Sequence, residues 1–357
     1  MESTDKGKNV VIDLTNYGNI NVGFGQIAAN YAKRFAESNH DDFQLTYLVP
    51  EKCDVDFGSD IKILKKKPLY RFIPSLLPKT DVWHAVNQQR KIFPAKGNGK
   101  VVFTIHDLNF LVEKKPAKAA RYLRRMQKHV DRASVVTAIS QYTADIVKQN
   151  VDLKGKEIRV IYNGVERIDH IEGSKPAFAT GRPFFFTIGQ IRRKKNFHLL
   201  LDVMKEFPEY DLYICGDTSC NHGVYAEELR SLIDSKNLTN VFLPGTITQD
   251  KKVWLYRNCE ALLFPSQGEG FGIPPIEAMQ FGKAVFAAAR TSLPEICGGY
   301  GFLWEKLTTE EMVDSIKKHL PGFYDDRERV EKIKQYAFSF SYENHINAYL
   351  DIYRELL

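Results

Sequence analysis

Three observations predict an α/β fold of two doubly wound, parallel-sheet domains. The chain has 357 residues, the length of two domains at roughly 100–200 residues each. Short apolar runs alternate with amphipathic stretches, the pattern of helices packed on parallel sheets. That alternation lapses over residues 169–182, where Gly, Ser, Pro and Ala mix without periodicity, and then resumes. Residues 1–172 are therefore assigned to a first domain and residues 173–339 to a second.

In the first domain, Val10–Leu14 is an apolar run that ends before a glycine-bearing turn (Gly18, Gly23, Gly25), and a helix follows from about Gln26 to Glu37. Gln44–Val49 and Val82–Ala85 read as strands. Val101–Ile105 is continuously apolar, as a strand covered on both faces must be. A basic helix is expected over Pro116–Asp131. Ser134–Ile139 is a strand whose following helix opens at Ser140, and Ile158–Tyr162 closes the series before the turn signal Asn163-Gly164. In the second domain the strands are Phe184–Ile188, Leu212–Cys215, Val241–Leu243, Ala261–Phe264 and Ala284–Ala288. The stretch from Ser339 to Leu357 reads as a long amphipathic helix carrying Phe340, Tyr342, Tyr349 and Tyr353.

Hydrophobic residues make up 43% and charged residues 26%, a globular composition that argues against disorder. No apolar signal-peptide core opens the sequence, and no run reaches the ~20 apolar residues of a membrane span. The five cysteines show no metal-site spacing. His222 is the only extra ligand candidate near Cys215 and Cys220, so reduced thiols and a cytoplasmic location are expected. Charge is uneven. Residues 1–172 hold 28 Lys and Arg against 20 Asp and Glu, a net +8, and the remainder holds 22 against 24, a net −2. The first domain is thus expected to meet an anionic partner.

In open α/β sheets ligands sit beyond the carboxyl ends of strands, which directs attention to the segments after them. The sharpest is Pro265-Ser266-Gln267-Gly268-Glu269-Gly270-Phe271-Gly272-Ile273-Pro274-Pro275-Ile276-Glu277-Ala278. A helix starting near Pro274 would leave free N–H groups at Gly272, Ile273 and Ile276, which suit phosphate oxygens. Glu277, in its first turn, can accept two ribose hydroxyls or can simply complement the helix dipole. Glu269, before flexible glycines, can reach a second polyol. The basic run Gly189-Gln190-Ile191-Arg192-Arg193-Lys194-Lys195-Asn196 can neutralise a diphosphate, although such a run is also at home as a solvated surface.

The Glu-Gly-Phe-Gly-x-Pro-x-x-Glu-Ala run, with seven residues between Glu269 and Glu277, resembles the two-glutamate motif of family 4 glycosyltransferases. Other segments resemble that family's landmarks in order along nearly the entire chain. They are Thr104-Ile105-His106-Asp107-Leu108, Ala138-Ile139-Ser140-Gln141-Tyr142-Thr143 and Val160-Ile161-Tyr162-Asn163-Gly164-Val165, where Tyr162 replaces a proline. The resemblance implies the GT-B fold, two Rossmann-like domains facing across a crevice, with a C-terminal helix (340–357) crossing back to the first. It implies an acceptor site in the first domain and a nucleotide-sugar site in the second.

Carried over residue by residue, the resemblance makes Glu269, His106 and Lys195 the catalytic set. Glu269 would hold donor-sugar hydroxyls, Lys195 would stabilise the diphosphate, and His106 would contact the donor sugar. Donor binding would fall to Glu277, Gly189, Gly272 and Ile273, with Ile247 near the base. Gly23 and Gly25 would let backbone approach the donor phosphate, unless they are ordinary turn glycines. Gln190 departs from the family's arginine, so Arg193 or Lys194 would substitute for it. Asp107 would meet the acceptor or cap the following loop. The implied reaction moves a sugar, mannose favoured and GDP-mannose the leading donor, to a saccharide or lipid-linked acceptor with retained configuration. No cofactor or metal is expected. Asp54-Val55-Asp56 imitates a metal-binding triplet but lies in a polar stretch read as an exposed loop.

Residues 62–77 and 114–128 put lysines and arginines beside apolar side chains, a combination suited to an anionic membrane surface, which makes the protein peripheral on the inner membrane face. Two rival readings are a sugar-nucleotide epimerase of the same fold and a basic nucleic-acid-binding protein. The second lacks an aromatic-interleaved basic motif, and no nucleic-acid partner is expected.

Overall fold

The computed structural model describes residues 7–18 and 23–357. The chain divides into two compact units, one of residues 1–164 with 342–357 and one of residues 165–341. The first boundary falls eight residues before the expected one. Residues 165–172 join the second unit, with Val165 bridging to Ser341 and its N–H donating to the Phe340 carbonyl. Phe340 also stays there, its ring edge-on to Phe271 at 5.7 Å. The returning helix therefore starts at Tyr342, not at 340. The exchange leaves the charge asymmetry intact: residues 165–172 and 342–357 each carry one arginine and three acidic residues.

Unit 1 contains β1 (Asn9–Asp13), α1 (Gly23–Ala36), β2 (Gln44–Val49), β3 (Ile61–Lys65), β4 (Val82–Ala85), β5 (Lys100–Ile105), α2 (Phe110–Glu113), α3 (Pro116–Arg132), β6 (Val135–Ala138), α4 (Gln141–Asn150) and β7 (Ile158–Val160). All seven strands run parallel in the order β3-β2-β1-β4-β5-β6-β7. Alternate residues serve opposite faces. Val10 and Ile12 join one apolar cluster, with Tyr31 and Phe35 of α1, and Val11 joins the other, with Met126 and Val130 of α3. Ser140 caps α4, its Oγ accepting from the Thr143 N–H. Strand β3 was not expected. It lies at the sheet edge with Lys62 exposed, and lysines there discourage strand addition by another chain.

Helix α12 (Tyr342–Leu356) closes unit 1. It carries polar side chains into the sheet where apolar ones would be the default. The Tyr349 hydroxyl lies 2.9 Å from Thr104 Oγ1, and that of Tyr353 lies 2.6 Å from His84 Nδ1. His345 is held between the Tyr162 carbonyl and the Tyr31 hydroxyl. Every one of these groups has a partner, which is what makes a buried polar network tolerable.

Unit 2 contains β8 (Phe184–Ile188), α5 (Phe197–Val203), β9 (Asp211–Cys215), α6 (Val224–Ser235), β10 (Val241–Gly245), α7 (Gln249–Asn258), β11 (Ala261–Phe264), α8 (Ile273–Gln280), β12 (Ala284–Ala288), α9 (Leu293–Cys297), β13 (Phe302–Trp304), α10 (Thr309–His319) and α11 (Arg327–Phe338). Its sheet order, β10-β9-β8-β11-β12-β13, is again wholly parallel. In both units the strand order reverses beside the first strand, between β1 and β4 and between β8 and β11. Loops part there and leave a crevice at the carboxyl ends. Among the described residues no helix is long and apolar enough to cross a membrane, and all five cysteines are buried and unpaired.

Candidate active site

The reversal point of unit 2 is where the two-glutamate segment and the basic run meet. After β8 the chain passes Gly189 and makes a tight turn over Arg193–Lys195. Asn196 ends that turn in the left-handed region, with φ 54°. Two tethers fix the turn to the loop after β11: Asn196 Nδ2 donates to the Pro265 carbonyl (3.1 Å), and the Gln267 N–H donates to the Lys194 carbonyl (2.8 Å). Lys195 Nζ then lies 2.5 Å from Glu269 Oε1 and 5.0 Å from the Phe264 ring centroid. The two side chains are 12% and 15% exposed, so the pair is sheltered yet open to a ligand.

The loop is also held from the β12 side. The Glu269 N–H donates to Thr291 Oγ1 at 3.1 Å, and Ser292 Oγ donates to the Phe271 carbonyl at 2.7 Å. Gly272, at φ 110°, starts α8, and a Cβ on it would lie 2.8 Å from Leu293 Cδ2. Gly216, after β9, packs against the loop after β8: a Cβ there would sit 1.8 Å from the Gly189 carbonyl oxygen. Glycine is required at Gly216 because backbone, not a flexible side chain, fills the space.

Glu277 differs from expectation. It is the fifth residue of α8 rather than a first-turn residue, so it does not face the helix N-terminus. Its carboxylate is buried, with Oε1 2.6 Å from Lys252 Nζ and Oε2 accepting from the Tyr256 hydroxyl at 2.9 Å. Burial first, and then Glu277, raise the Tyr256 pKa well above the usual range, so the phenol stays a donor. Each carboxylate oxygen keeps a second lone pair for a hydroxyl. Tyr256→Phe is expected to lower stability by about 1–3 kcal/mol; urea denaturation that gives an unchanged midpoint would contradict the pairing.

Arg193 is not aimed at the Lys195–Glu269 pair. It bonds Glu228 at 2.8 Å and covers the Tyr225 ring, which argues against its substituting for the missing arginine. Lys194 contributes its carbonyl to the tether. Gly189 leaves room for Lys195, whose Cε would lie 3.3 Å from an added Cβ. Ile273 is the first residue of α8, and Ile247 lies half-buried after β10.

In unit 1, His106 follows β5 and is buried. Its Nε2 lies 2.8 Å from the Val86 carbonyl. A carbonyl only accepts, so Nε2 carries the proton and Nδ1 is the lone-pair nitrogen. Burial pushes its pKa down to about 4, against a smaller opposing effect of that hydrogen bond. The ring is therefore neutral at pH 7. Asp107 takes its capping role, its Oδ1 accepting from the Asn109 N–H at 3.0 Å. Gly23 and Gly25 form the first turn of α1, and residues 19–22 of the glycine loop lie outside the described residues. Asp54 pairs with Lys65, and Asp56 accepts from the Gly58 N–H.

The sequence reading missed Lys252, Tyr256, Thr291, Ser292 and Arg90. Only Lys252 and Tyr256 left a trace, four residues apart on one helix face. Arg90 is buried beside Asp13 at 3.3 Å and also donates to Asn16 Oδ1 at 2.6 Å.

Two parallel sheets of this order, each with its reversal point and with an acidic and a basic side chain joined at the second one, define a GT-B glycosyltransferase architecture. Solved structures share it. Sucrose-phosphate synthase from Thermosynechococcus elongatus matches with a TM-score of 0.76 at 16% identity, over 98% of this chain and 99% of that one. Anabaena Alr3699/HepE in complex with UDP-glucose matches with 0.73 at 18%, over 97% and 99%. The family model for glycosyl transferases group 1 matches residues 171–340, and that for glycosyltransferase family 4 matches residues 57–167. The chain belongs to these group 1, family 4 glycosyltransferases. Among curated relatives, the serotype-specific mannosyltransferase WbdA of Escherichia coli is 26% identical over 283 residues. That match takes in 72% of this chain but about a third of WbdA (34%). The O-antigen chain mannosyltransferase RfbU of Salmonella typhimurium is 27% identical, over 63% of this chain and 60% of RfbU.

Proposed function

We propose that this protein transfers a sugar, mannose first, from a nucleotide-diphosphate donor to a saccharide or lipid-linked acceptor of a surface glycan, with retention and without a metal. The observation that carries the reading is the Lys195–Glu269 pair at the reversal point of unit 2. Lys195 supplies a sheltered positive charge for the departing diphosphate. Glu269 holds sugar hydroxyls, the retained lone pairs of Glu277 take ribose hydroxyls, and Ile247 lies beside the base. The N–H groups of Gly272 and Ile273 open α8, where phosphate oxygens are well received. Neutral His106 offers Nδ1 to a sugar hydroxyl. On the same-face route, the acceptor hydroxyl passes its proton to the leaving phosphate oxygen, and no side-chain nucleophile takes part. Mannose is favoured because WbdA and RfbU are named mannosyltransferases.

GDP is expected to stabilise the protein, by about 2.7 kcal/mol at a hundredfold excess over Kd. A melting shift with UDP and none with GDP would overturn the mannose assignment. Turnover of the donor alone to an epimer would replace transfer by epimerisation. We further place the protein peripherally on an anionic membrane in the cytoplasm. Leu69, Phe72, Ile73 and Leu76 are 53%, 74%, 43% and 53% exposed, a row of apolar side chains amid lysines. Replacing Phe72 and Leu76 with serine is expected to abolish flotation with phosphatidylglycerol vesicles; undiminished flotation would remove this row from the membrane contact.

A further inference from the structure

Unit 1 has its own crevice at the reversal between β1 and β4, and it is basic. A cavity of about 440 Å³ opens there, bounded by the turn after β1 (Thr15, Asn16), the segment after β3 (Lys66 to Phe72) and the segment after β4 (Gln89 to Ile92). Five of its lining side chains are cationic: Lys66, Lys67, Arg71, Arg90 and Lys91. The described lining holds no carboxylate. Arg90 forms the floor and is fixed from several sides, with Asp13, Thr15 and Asn16 taking its guanidinium N–H groups and Asn87 its Nε–H. Asp13 offsets that charge. Lys66, Lys67, Arg71 and Lys91 stand at the rim, exposed, and none makes an ion pair among the described residues. Elsewhere in this unit several basic side chains do find an acid, as Lys65 does with Asp54, Lys154 with Asp131 and Arg354 with Asp42.

Four unpaired cations around one concavity repel one another and focus a positive potential into it. A bound anion removes that repulsion. We propose that this cavity is an anion-binding acceptor subsite that takes a phosphate or diphosphate group, with Lys66, Lys67, Arg71 and Lys91 as its charge clamp and fixed Arg90 as its floor. Phe72 covers one side, and the Arg71 guanidinium lies 5.5 Å from its ring centroid. The assignment deepens the transfer reading, because it names the chemistry of the acceptor. It accounts for part of the unit's net positive charge, which the donor diphosphate cannot, since Lys195 belongs to unit 2.

Titration calorimetry with inorganic pyrophosphate tests it on the full chain carrying Lys195→Ala, which weakens the donor site. One site is expected. Adding Lys67→Glu and Lys91→Glu should weaken it at least tenfold, whereas Lys33→Glu with Lys100→Glu, the same charge change outside the cavity, should leave it within twofold. Equal weakening in both pairs, or in neither, overturns the proposal. Matched melting temperatures exclude misfolding as the cause. Farnesyl diphosphate then identifies the source of the anion: binding tighter than pyrophosphate assigns a lipid-borne diphosphate, and equal binding a soluble phosphorylated acceptor. The readout is binding, so it stands apart from the transfer reading, which fails separately if no donor is turned over.

Discussion

Lys195→Ala is expected to lower kcat for sugar transfer by about 10²–10³-fold, with a smaller change in KM. Negative charge grows on the diphosphate only as the sugar leaves, so a cation acting there stabilises the transition state more than the bound donor. The ammonium is well placed, since its side chain is 12% exposed, it lies over the Phe264 ring, and the two tethers to the β11 loop hold its turn. The substitution also strips Glu269 of its counter-charge. Glu269→Gln keeps the shape and removes the charge, and its expected loss is of similar size. Combined, the two should cost less than the product of their separate effects, because each alone leaves a partner unpaired. If Lys195→Ala retained kcat within threefold while only the melting temperature fell, the pair would be structural and the site would lie elsewhere.

The main lines of that site were legible because local signals and topology agree on it. Strand endings at Ile188 and Phe264 can be read from apolar runs bounded by Gly and Pro, and doubly wound order brings the loops after them together. Lys195 and Glu269 therefore meet across 74 positions. What stayed hidden depends on partner choice across a sheet. Lys252 looks like any surface lysine on a polar helix, and only the packing of α7 beside α8 turns it onto Glu277. Arg90 sits in the polar run Asn87-Gln88-Gln89-Arg90, which reads as a solvated loop. It is buried because Asp13, on a different strand, awaits it. Strand β3 escaped notice because an edge strand can carry lysines, which blurs the apolar signal that marked its neighbours.

Acid is expected to unfold unit 1 well before the range in which carboxylates titrate. Five of its histidines are buried, His40, His84, His106, His129 and His345, and the last four have lowered pKa values. Burial pushes the pKa of His106, His129 and His345 down to about 4, and it lowers that of His84 well below the usual histidine range. Their surroundings explain the sign. His84 is enclosed by Tyr353, Thr104 and Tyr349, and His345 is held by a carbonyl and a phenol. His129 stacks on Phe93 at 4.4 Å with Arg125 and Arg132 nearby, so none has an acid to stabilise a second proton. In the unfolded chain each would titrate near 6.5. Between about pH 6.5 and 4 the unfolded state thus binds more protons, and stability falls as pH falls, by up to about 1.4 kcal/mol per pH unit for each histidine. At pH 5 His106, His129 and His345 together would cost about 6 kcal/mol, comparable to the whole stability of a typical domain, and His84 acts in the same direction. Unit 2 has no such cluster, since His198 and His319, also lowered by burial, are only partly enclosed. Tryptophan fluorescence can separate the units, with Trp83 in unit 1 and Trp254 and Trp304 in unit 2. In a Trp254→Phe, Trp304→Phe chain the melting temperature should drop steeply from pH 7 to 5, and in a Trp83→Phe chain it should hardly move. His345→Gln should make the first slope shallower. A flat profile for Trp83 over that range would mean that the network admits protons and that the histidines do not tie unit 1 to neutral pH.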